Sequence, residues 1–441
     1  MKINILYLLL AGLTLAACEK DPVAVDYGEM DGTSYVAIGT NATAGYADDA
    51  LHYDAQVNSY AKILNEQFSL NGRFGFGQPL VEEGTNGVNL NGDAQLILGY
   101  KTDCKDTVSL SPIRIADNGN TSAWSDVFNV IDNLGVPGLK ILDLDNVGFG
   151  NSASGAGNYD PYFARMASDQ ATSSVLSDAI ARDPSFFSVM LGDSDIMNFA
   201  TTGGAFDPIT PSAGVNGVGF EGTLDAALTA LTTNGANGVI ATIPDVLDYP
   251  YFNTIPYDGL PLDADKTETM NSVFNPIGLY FTEGDNPFTM ECDCNLPYGV
   301  RKMEPGELVT LSIPLDSVKC NGMGSIQPIP DRYVLTLAEI AEIQAKINEY
   351  NTIIRAQALK HDLALADLNQ LYKGLNTGVL YNGINLSAEF VTGGAYSLDG
   401  RNLNPIGQAL IANTFIEAIN EKFNANIPFA DVTKYHGVLF P

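Results

Sequence analysis

YVAIGTNATAGY, residues 35–46, is the stretch of sequence that decides the fold. Its first half is apolar and β-branched up to Gly39, a pattern typical of a strand buried on both faces. Gly39 permits a tight turn, and a helix is expected to begin a few residues later. In such a strand-turn-helix unit, the side chain of Asn41 points into the cleft at the carboxyl end of the sheet. The helix N-terminus beside it favours negative charge there.

Short apolar runs alternate with helical patterns along the rest of the chain. This alternation predicts a parallel sheet covered by helices on both faces. The predicted strands are Tyr35–Gly39, Phe128–Leu134, Phe187–Gly192, Gly238–Pro244 and Ala364–Asn369. A capping box at Thr336 and Glu339, followed by apolar residues three and four apart, predicts a long helix. A second apolar stripe from Ala412 to Phe423 predicts another helix.

Four segments resemble the conserved blocks of the SGNH (GDSL-type) ester hydrolases. Residues 39–46 resemble the first block, Gly-Asp-Ser-Leu-Thr-Ala-Gly-Tyr, with Asn41 in the place of the nucleophilic serine. Residues 133–138 (NLGVPG) resemble the second, whose glycine donates a backbone N–H to the oxyanion, a place that Gly138 takes. Residues 187–195 (FSVMLGDSD) resemble the third, with Ser194 at the oxyanion-hole asparagine. Residues 397–402 (SLDGRN) resemble the fifth, with Asp399 in place and Asn402 at the general-base histidine.

The resemblance implies a single α/β/α sandwich with a flavodoxin-like, five-stranded parallel sheet. It does not imply the reaction, because the nucleophile, an oxyanion donor and the base are all replaced. Loss of a catalytic triad costs on the order of a million-fold in kcat, and loss of one oxyanion donor costs roughly a further 100- to 1,000-fold. We therefore expect a pseudoenzyme that binds or assists at a membrane. The alternative is an esterase, lipase or carbohydrate deacetylase with a non-standard site, such as Thr40 or Thr43 with His52.

The other candidate polar residues have simpler interpretations. His361 is expected on the surface and His436 in the C-terminal tail. The carboxylates Asp48, Asp49 and Asp193 are expected on a solvated rim. The sequence predicts no metal site and no cofactor.

The N-terminus has the composition of an export signal. Lys2 precedes a short apolar run and Leu15-Ala16-Ala17-Cys18. This pattern predicts a lipoprotein signal peptide over residues 1–17, with Cys18 acylated after cleavage; an ordinary signal peptide is the alternative. We expect a lipid anchor in the outer membrane, at the periplasmic face or the cell surface.

A net charge of −30 disfavours nucleic acid and anionic lipid head groups as partners. The expected partners are the membrane, through the anchor, and a glycan, an acyl or peptide ligand, or an outer-membrane protein. Residues 18–32 are expected to form a tether and residues 33–441 one domain. Insertions are expected at about 70–124, which is rich in Gly and Asn, and at 249–330, which is predicted to form a cap.

The remaining four cysteines are expected in disulfides, because an exported protein meets an oxidising environment. Cys292 and Cys294 are only two residues apart, so the expected pairing joins Cys320 to one of them and Cys104 to the other. A metal site is the alternative, although Cys-x-Cys with such distant partners matches no standard zinc spacing.

Overall fold

The computed structural model describes residues 25–70, 75–116, 119 and 130–441. Its centre is a parallel sheet with strands β1 (Tyr35–Gly39), β2 (Asn133–Gly135), β3 (Phe186–Met190), β4 (Asn237–Ala241) and β5 (Ala364–Ala366). The strand order is β2-β1-β3-β4-β5, and every neighbouring pair is parallel. This flavodoxin-like order confirms the predicted fold class. From β1, the chain adds β2 on one side and β3, β4 and β5 on the other. Sheets of this kind form their ligand crevice where the direction of strand addition changes, between β1 and β3.

The helices of the described residues are named in chain order. They are α1 (Asn41–Ala44), α2 (Tyr53–Val57), α3 (Tyr60–Phe68), α4 (Pro161–Ala164), α5 (Val175–Ala181), α6 (Asp193–Ala200), α7 (Phe220–Thr232), α8 (Pro250–Asn253), α9 (Ala264–Phe274), α10 (Leu315–Cys320), α11 (Leu337–Lys360), α12 (Leu368–Thr377) and α13 (Pro405–Phe423). The sheet lies in an α/β/α sandwich, and two helices of the segment between α8 and α11, α9 and α10, lie outside it.

Short antiparallel pairs lie outside the main sheet. They are Tyr46–Ala47 with Ala50–Leu51, Leu96–Thr102 with Val108–Arg114, Leu260–Leu262 with Gly284–Asn286, Thr289–Glu291 with Val300–Lys302, Leu308–Val309 with Val334–Leu335, and Val379–Tyr381 with Ile384–Leu386.

The predicted strand ends differ from the observed ones where a cap or turn takes over. The predicted and observed ranges of β1 coincide. β5 ends at Ala366, three residues earlier than predicted, because the side chain of Asp367 accepts a hydrogen bond from Gln370 N and caps α12. β2 begins at Asn133, and residues 128 and 129 of its predicted range lie outside the described residues.

Both predicted helices are present and bury their apolar stripes. The capping box at Thr336 and Glu339 begins α11. The ring of Tyr350 on α11 stacks on Phe220 of α7, with centroids 4.0 Å apart. The ring of Phe415 on α13 stacks on Tyr60 of α3 at 4.7 Å. These pairs join the helices to one another over the buried strands.

The segment between α8 and α11 builds two small apolar clusters of its own, separate from the main core. One is formed by Phe288, Met290, Met303, Val309, Ile313, Ile329 and Val334. The other is formed by Leu262, Met270, Phe274 and Phe281. This segment therefore carries its own packing.

The predicted disulfide pairing is wrong. Cys104 pairs with Cys320, with Cα atoms 6.4 Å apart, and Cys292 pairs with Cys294, with Cα atoms 5.2 Å apart. Two ion pairs accompany the first bond: Lys101 with Asp316 (2.9 Å) and Lys319 with Asp103 (3.0 Å) join the tip of the 96–114 hairpin to α10. Cys292 and Cys294 share the turn between Thr289–Glu291 and Val300–Lys302, where Cys292 N donates to Gly299 O.

Removal of the Cys104–Cys320 bond should destabilise the fold. A Cys104→Ala, Cys320→Ala variant is expected to lower the free energy of unfolding by about 2–4 kcal/mol, because the bond closes a loop between residues 216 positions apart. Urea unfolding of this variant, beside the wild type and a control that lacks the other disulfide, measures the effect. The matched Cys292→Ala, Cys294→Ala variant should lose less, since its loop is very short; an equal or larger loss in that control would contradict the expectation.

The predicted signal peptide and Cys18 lie outside the described residues. Within the residues that the structure does describe, none of the helices combines the length and apolar composition needed to cross a bilayer.

Candidate functional site

The turn after β1 is held by close backbone packing. A Cβ atom at Gly39 would lie 2.1 Å from Thr43 Oγ1 and 2.7 Å from Met190 O, and one at Gly135 would lie 2.2 Å from Ala44 N. Only glycine fits at either position, because the first helix sits directly on the ends of β1, β2 and β3. Asn133 adds a hydrogen bond from its Nδ2 to Thr43 O (2.8 Å). The start of α1 is therefore fixed above the carboxyl edge of the sheet.

Asn41 occupies that edge and is bonded on both sides of its carboxamide. Its Oδ1 accepts a hydrogen bond from Gly138 N (2.9 Å), and its Nδ2 donates to Asn402 Oδ1 (3.1 Å). Gly138 has a φ of +80°, a backbone conformation that favours glycine. The Gly138 N–H, which the resemblance predicts as an oxyanion donor, is thus bonded to the Asn41 side chain.

Asp399 completes a chain of side chains. Asn402 Nδ2 donates to Asp399 Oδ2 (2.9 Å), and Asp399 Oδ1 accepts from the backbone N–H groups of Arg401 and Asn402, both at 2.8 Å. Asp399 and Asn402 are buried. The structure therefore brings together four of the five predicted site residues, which we call the carboxamide relay: Gly138, Asn41, Asn402 and Asp399.

The relay links two carboxamides to a carboxylate, at the positions where the sequence resemblance predicts a nucleophile, a base and the residue that orients the base. A carboxamide neither takes up nor releases a proton near neutral pH, so Asn402 cannot act as a general base. Asn41 has no hydroxyl or thiol to act as a nucleophile. Every polar group in the relay has a partner, which suits a stable recognition surface and leaves no group poised for proton transfer.

Ser194, the fifth predicted residue, lies beside this chain without joining it. It is the second residue of α6, which begins after Gly192 in a left-handed conformation (φ +103°). Ser194 is buried. Among the described residues, no hydrogen bond links its side chain to Asn41, Gly138 or Asn402.

Asp193 contradicts the expectation of a solvated rim. Both of its carboxylate oxygens accept from Thr40 Oγ1 at 2.8 Å, and burial raises its pKa to about 6. The neighbouring Asp195 is also buried, accepts from Ile141 N (3.0 Å) and has a pKa raised to about 6 by burial. The prediction of a solvated rim is wrong for Asp193, because Asp193 accepts a hydrogen bond from Thr40, which is fully buried.

Asp48 and Asp49 were also predicted on the rim, and they instead brace the relay. Both have positive φ angles, +53° and +56°, in the tight turn of the first small hairpin. Asp49 N donates to Asp399 Oδ2 (3.0 Å), while Asp48 Oδ1 accepts from Leu398 N (2.8 Å). These residues fix the loop that carries Asp399 and Asn402.

Two arginines extend this brace. Arg114 Nη2 donates to Asp49 Oδ2 (2.5 Å) and Arg401 Nη2 donates to Asp49 Oδ1 (3.0 Å). The Arg401 guanidinium also lies over the Tyr251 ring at 5.2 Å. A role of Arg401 at the site could be expected from the sequence, because Arg401 stands between Asp399 and Asn402. Arg114, 65 residues from Asp49, carried no such signal.

The histidine and threonine alternatives are not brought together. His52 caps α2 through its Nδ1 and lies 3.5 Å from Asp48 Oδ2. Thr43 Oγ1 bonds to Tyr60 OH (3.0 Å), and Thr40 bonds to Asp193. No hydrogen bond among the described residues joins His52 to either threonine.

The two remaining histidines form ion pairs away from the relay. His361, predicted on the surface, is largely covered and pairs with Asp225 (2.9 Å). His436 pairs with Asp54 (3.0 Å), and this hydrogen bond raises the pKa of His436. In the described parts of the chain, no three side chains of the metal-ligating types converge on one point.

No protein-family model matches the chain, and no curated protein matches it. Two solved structures are similar to it. One is LAE5, an alpha/beta hydrolase enzyme from the metagenome of Lake Arreo in Spain, with 13% identity, a TM-score of 0.37, and coverage of 89% of this chain and 96% of that one. The other is a GDSL-like lipase from Parabacteroides merdae, with 10% identity, a TM-score of 0.35, and coverage of 90% and 99%. The fold assignment rests on the strand order of this chain itself.

The partly buried carboxyl of Asp193 should make the free energy of unfolding depend on pH. The folded-state pKa of this carboxyl is raised to about 6. The contribution of the protonated carboxyl to the free energy of unfolding is therefore fully present below about pH 4 and is lost as the pH rises through 6. The free energy of unfolding of an Asp193→Asn variant should equal that of the wild type near pH 4. At pH 8 it should be higher than that of the wild type by up to about 3 kcal/mol. Urea unfolding across this range measures the difference. The control Asp265→Asn, on exposed α9, should show no such trend; a variant less stable at pH 8 than at pH 4, relative to wild type, would refute the assignment.

Restoring the chemical groups should restore some hydrolysis. In an Asn41→Ser, Asn402→His variant, the serine frees Gly138 N–H and Asp399 can orient the imidazole. Triad members act as a unit, so we expect hydrolysis of p-nitrophenyl acetate at least about 100-fold above either single variant, a small part of the roughly million-fold effect of a complete triad. A folded double variant with no more activity than the singles would show that the relay does not have triad geometry.

Proposed function

We propose that this chain is a non-catalytic, hydrolase-like lipoprotein that binds a ligand or partner at the outer membrane. One observation carries the proposal: Asn41 Oδ1 accepts the Gly138 N–H, while Asn41 Nδ2 donates to Asn402. The site thus binds its own carboxamide where an ester carbonyl would bind. The blocks of the SGNH-like sequence supply the hydrolase-like frame, and the replaced nucleophile and base argue against turnover.

The membrane location rests on the sequence alone. The predicted lipid on Cys18 anchors the chain, and the charge of −30 disfavours direct attraction to anionic head groups. The proposed ligand is a glycan, an acyl or peptide fragment, or an outer-membrane protein. A ligand with both a donor and an acceptor could exchange hydrogen bonds with the carboxamides of the relay.

Ester hydrolysis by a non-standard site is the weaker candidate. Its best support is Asp193, whose pKa near 6 would suit a general base and which is bonded to a hydroxyl. That hydroxyl belongs to Thr40, which is fully buried. A substrate carbonyl cannot reach it in this structure, so the pair is better explained as packing under the turn.

The absence of turnover can be measured directly. The full-length chain should hydrolyse p-nitrophenyl acetate and butyrate no faster than a matched Asn41→Ala variant, because Asn41 has no nucleophilic role. A second control, Asp193→Asn, removes the carboxylate that accepts a hydrogen bond from Thr40 Oγ1. Activity above the buffer rate that disappears in Asn41→Ala would overturn the proposal; activity that disappears only in Asp193→Asn would favour the non-standard enzyme.

A further inference from the structure

A cavity of about 430 Å³ lies between the two small apolar clusters of the segment between α8 and α11. Its lining includes Phe288 from one cluster and Leu262 and Met270 from the other. Leu260, which also lines the cavity, packs against both clusters. The cavity is thus the seam between two clusters that do not merge, and we call it the seam cavity. None of its lining residues belongs to the carboxamide relay.

The charged side chains at the seam cavity are all basic. Three lysines line it, Lys105, Lys266 and Lys319, and no aspartate or glutamate is among the described residues that do so. The whole chain has 52 acidic residues against 22 basic ones. A lining whose charges are all positive is therefore opposite in sign to the chain as a whole, and it favours an anion.

The Cys104–Cys320 disulfide holds two of these lysines at the same cavity. Lys105 follows Cys104 at the tip of the 96–114 hairpin, and Lys319 precedes Cys320 at the end of α10. Two ammonium groups at one cavity repel each other, and an anion between them replaces this repulsion with attraction. The disulfide keeps both groups in place whether or not an anion is bound.

The lysines are available to a ligand. The side chain of Lys105 is exposed, and none of the described carboxylates forms an ion pair with it. Lys319 bonds to Asp103 (3.0 Å), but Asp103 also accepts two backbone N–H groups, at 2.9 and 3.0 Å. Lys266 bonds to Asp263 (2.8 Å), and both side chains are more than half exposed. Exposed pairs contribute little, so an anion in the cavity can share both paired cations.

We infer that the seam cavity binds a small organic anion, with a compact apolar body and one carboxylate, sulfonate or phosphate group. The apolar body packs against the two clusters, and the anionic group lies at the three lysines. A cavity of about 430 Å³ is at the lower end of the range for small-molecule sites, which limits the body to a compact one. This inference goes beyond the proposed function, because it adds a second site in another part of the chain.

The test compares two probes with the same aromatic body on the full-length chain. They are 8-anilinonaphthalene-1-sulfonate and N-phenyl-1-naphthylamine, which lacks the sulfonate. Fluorescence titration should show one sulfonate probe per chain, bound at least about tenfold more tightly than the neutral probe, because its hydrogen bonds are charge-assisted. Its affinity should fall at least about threefold between about 0.05 and about 0.5 M NaCl, since salt screens exposed charges. Equal binding of the two probes, or no effect of salt, would overturn the inference.

Charge variants test the role of the lysines. A Lys105→Gln, Lys319→Gln variant should bind the sulfonate probe about tenfold more weakly, because each exposed charge pair contributes up to about fivefold. The control Lys62→Gln, Lys360→Gln removes the same charge on α3 and α11 and should bind as the wild type. An equal loss in both variants would mean that only the net charge matters, and no loss in either would place the probe elsewhere; both results reject the inference.

A filled cavity tests the location independently. Thr269 is exposed on α9 and lines the seam cavity, so Thr269→Trp should occupy the space of the apolar body and weaken the sulfonate probe at least about tenfold. Val273→Trp, at an exposed position of the same helix outside the cavity, should bind as the wild type. Unchanged binding in a folded Thr269→Trp variant would reject the inference. Ester hydrolysis by the same preparation would refute the non-catalytic proposal without altering this result.

Discussion

The structure depends on one steric constraint, the contact between the turn after β1 and the ends of β1 and its two neighbours, β2 and β3. A Cβ atom at Gly39 would meet Thr43 Oγ1 of the first helix and Met190 O of β3, and one at Gly135 would meet the helix backbone at Ala44. This contact fixes the position of Asn41, and through it the distances to Gly138 and Asn402. A larger side chain at either glycine would lift the helix and separate the members of the relay. The geometry of the site is thus a consequence of backbone packing at the switch point of the sheet.

Given that geometry, the chemistry follows from the residue types. A carboxamide offers an acceptor and a donor at once, so Asn41 can satisfy Gly138 on one side and Asn402 on the other. Leaving a buried donor unbonded costs about 1–3 kcal/mol, which favours this closed arrangement in the absence of a ligand. A ligand that enters must replace these bonds with equally good ones. Under the proposed binding function, this requirement would make the site selective without any reactive group.

The fold was largely predictable, because it is written in local patterns. The two-sided apolar runs and the capping box at Thr336 indicate their elements directly, and the blocks from Gly39 to Asn402 resemble a family with a known strand order. The relay was predictable as a set of positions for the same reason. The hydrogen bonds of the relay, including the one from Gly138 N to Asn41 Oδ1, could not be predicted without the three-dimensional arrangement.

What could not be predicted depends on contacts between distant residues. The bond between Cys104 and Cys320 joins the hairpin to α10, where two ion pairs also form, and sequence spacing gives no information on such contacts. From the sequence, Asp193 is expected to be an exposed carboxylate, yet in the structure it accepts a hydrogen bond from the buried Thr40. The double role of Asp49, on Asp399 and on two arginines, likewise appears only when three separate segments meet.

The central claim is that the site holds no activated nucleophile, and a fluorophosphonate reagent tests it most directly. Such reagents form a covalent bond with the activated serine of a serine hydrolase, and intact-protein mass spectrometry detects the added mass. The account predicts no adduct on the full-length chain after prolonged incubation, whereas the Asn41→Ser, Asn402→His variant should gain one adduct at residue 41. An adduct on the unaltered chain that maps to Ser194, Thr40 or another residue of the cleft would contradict it.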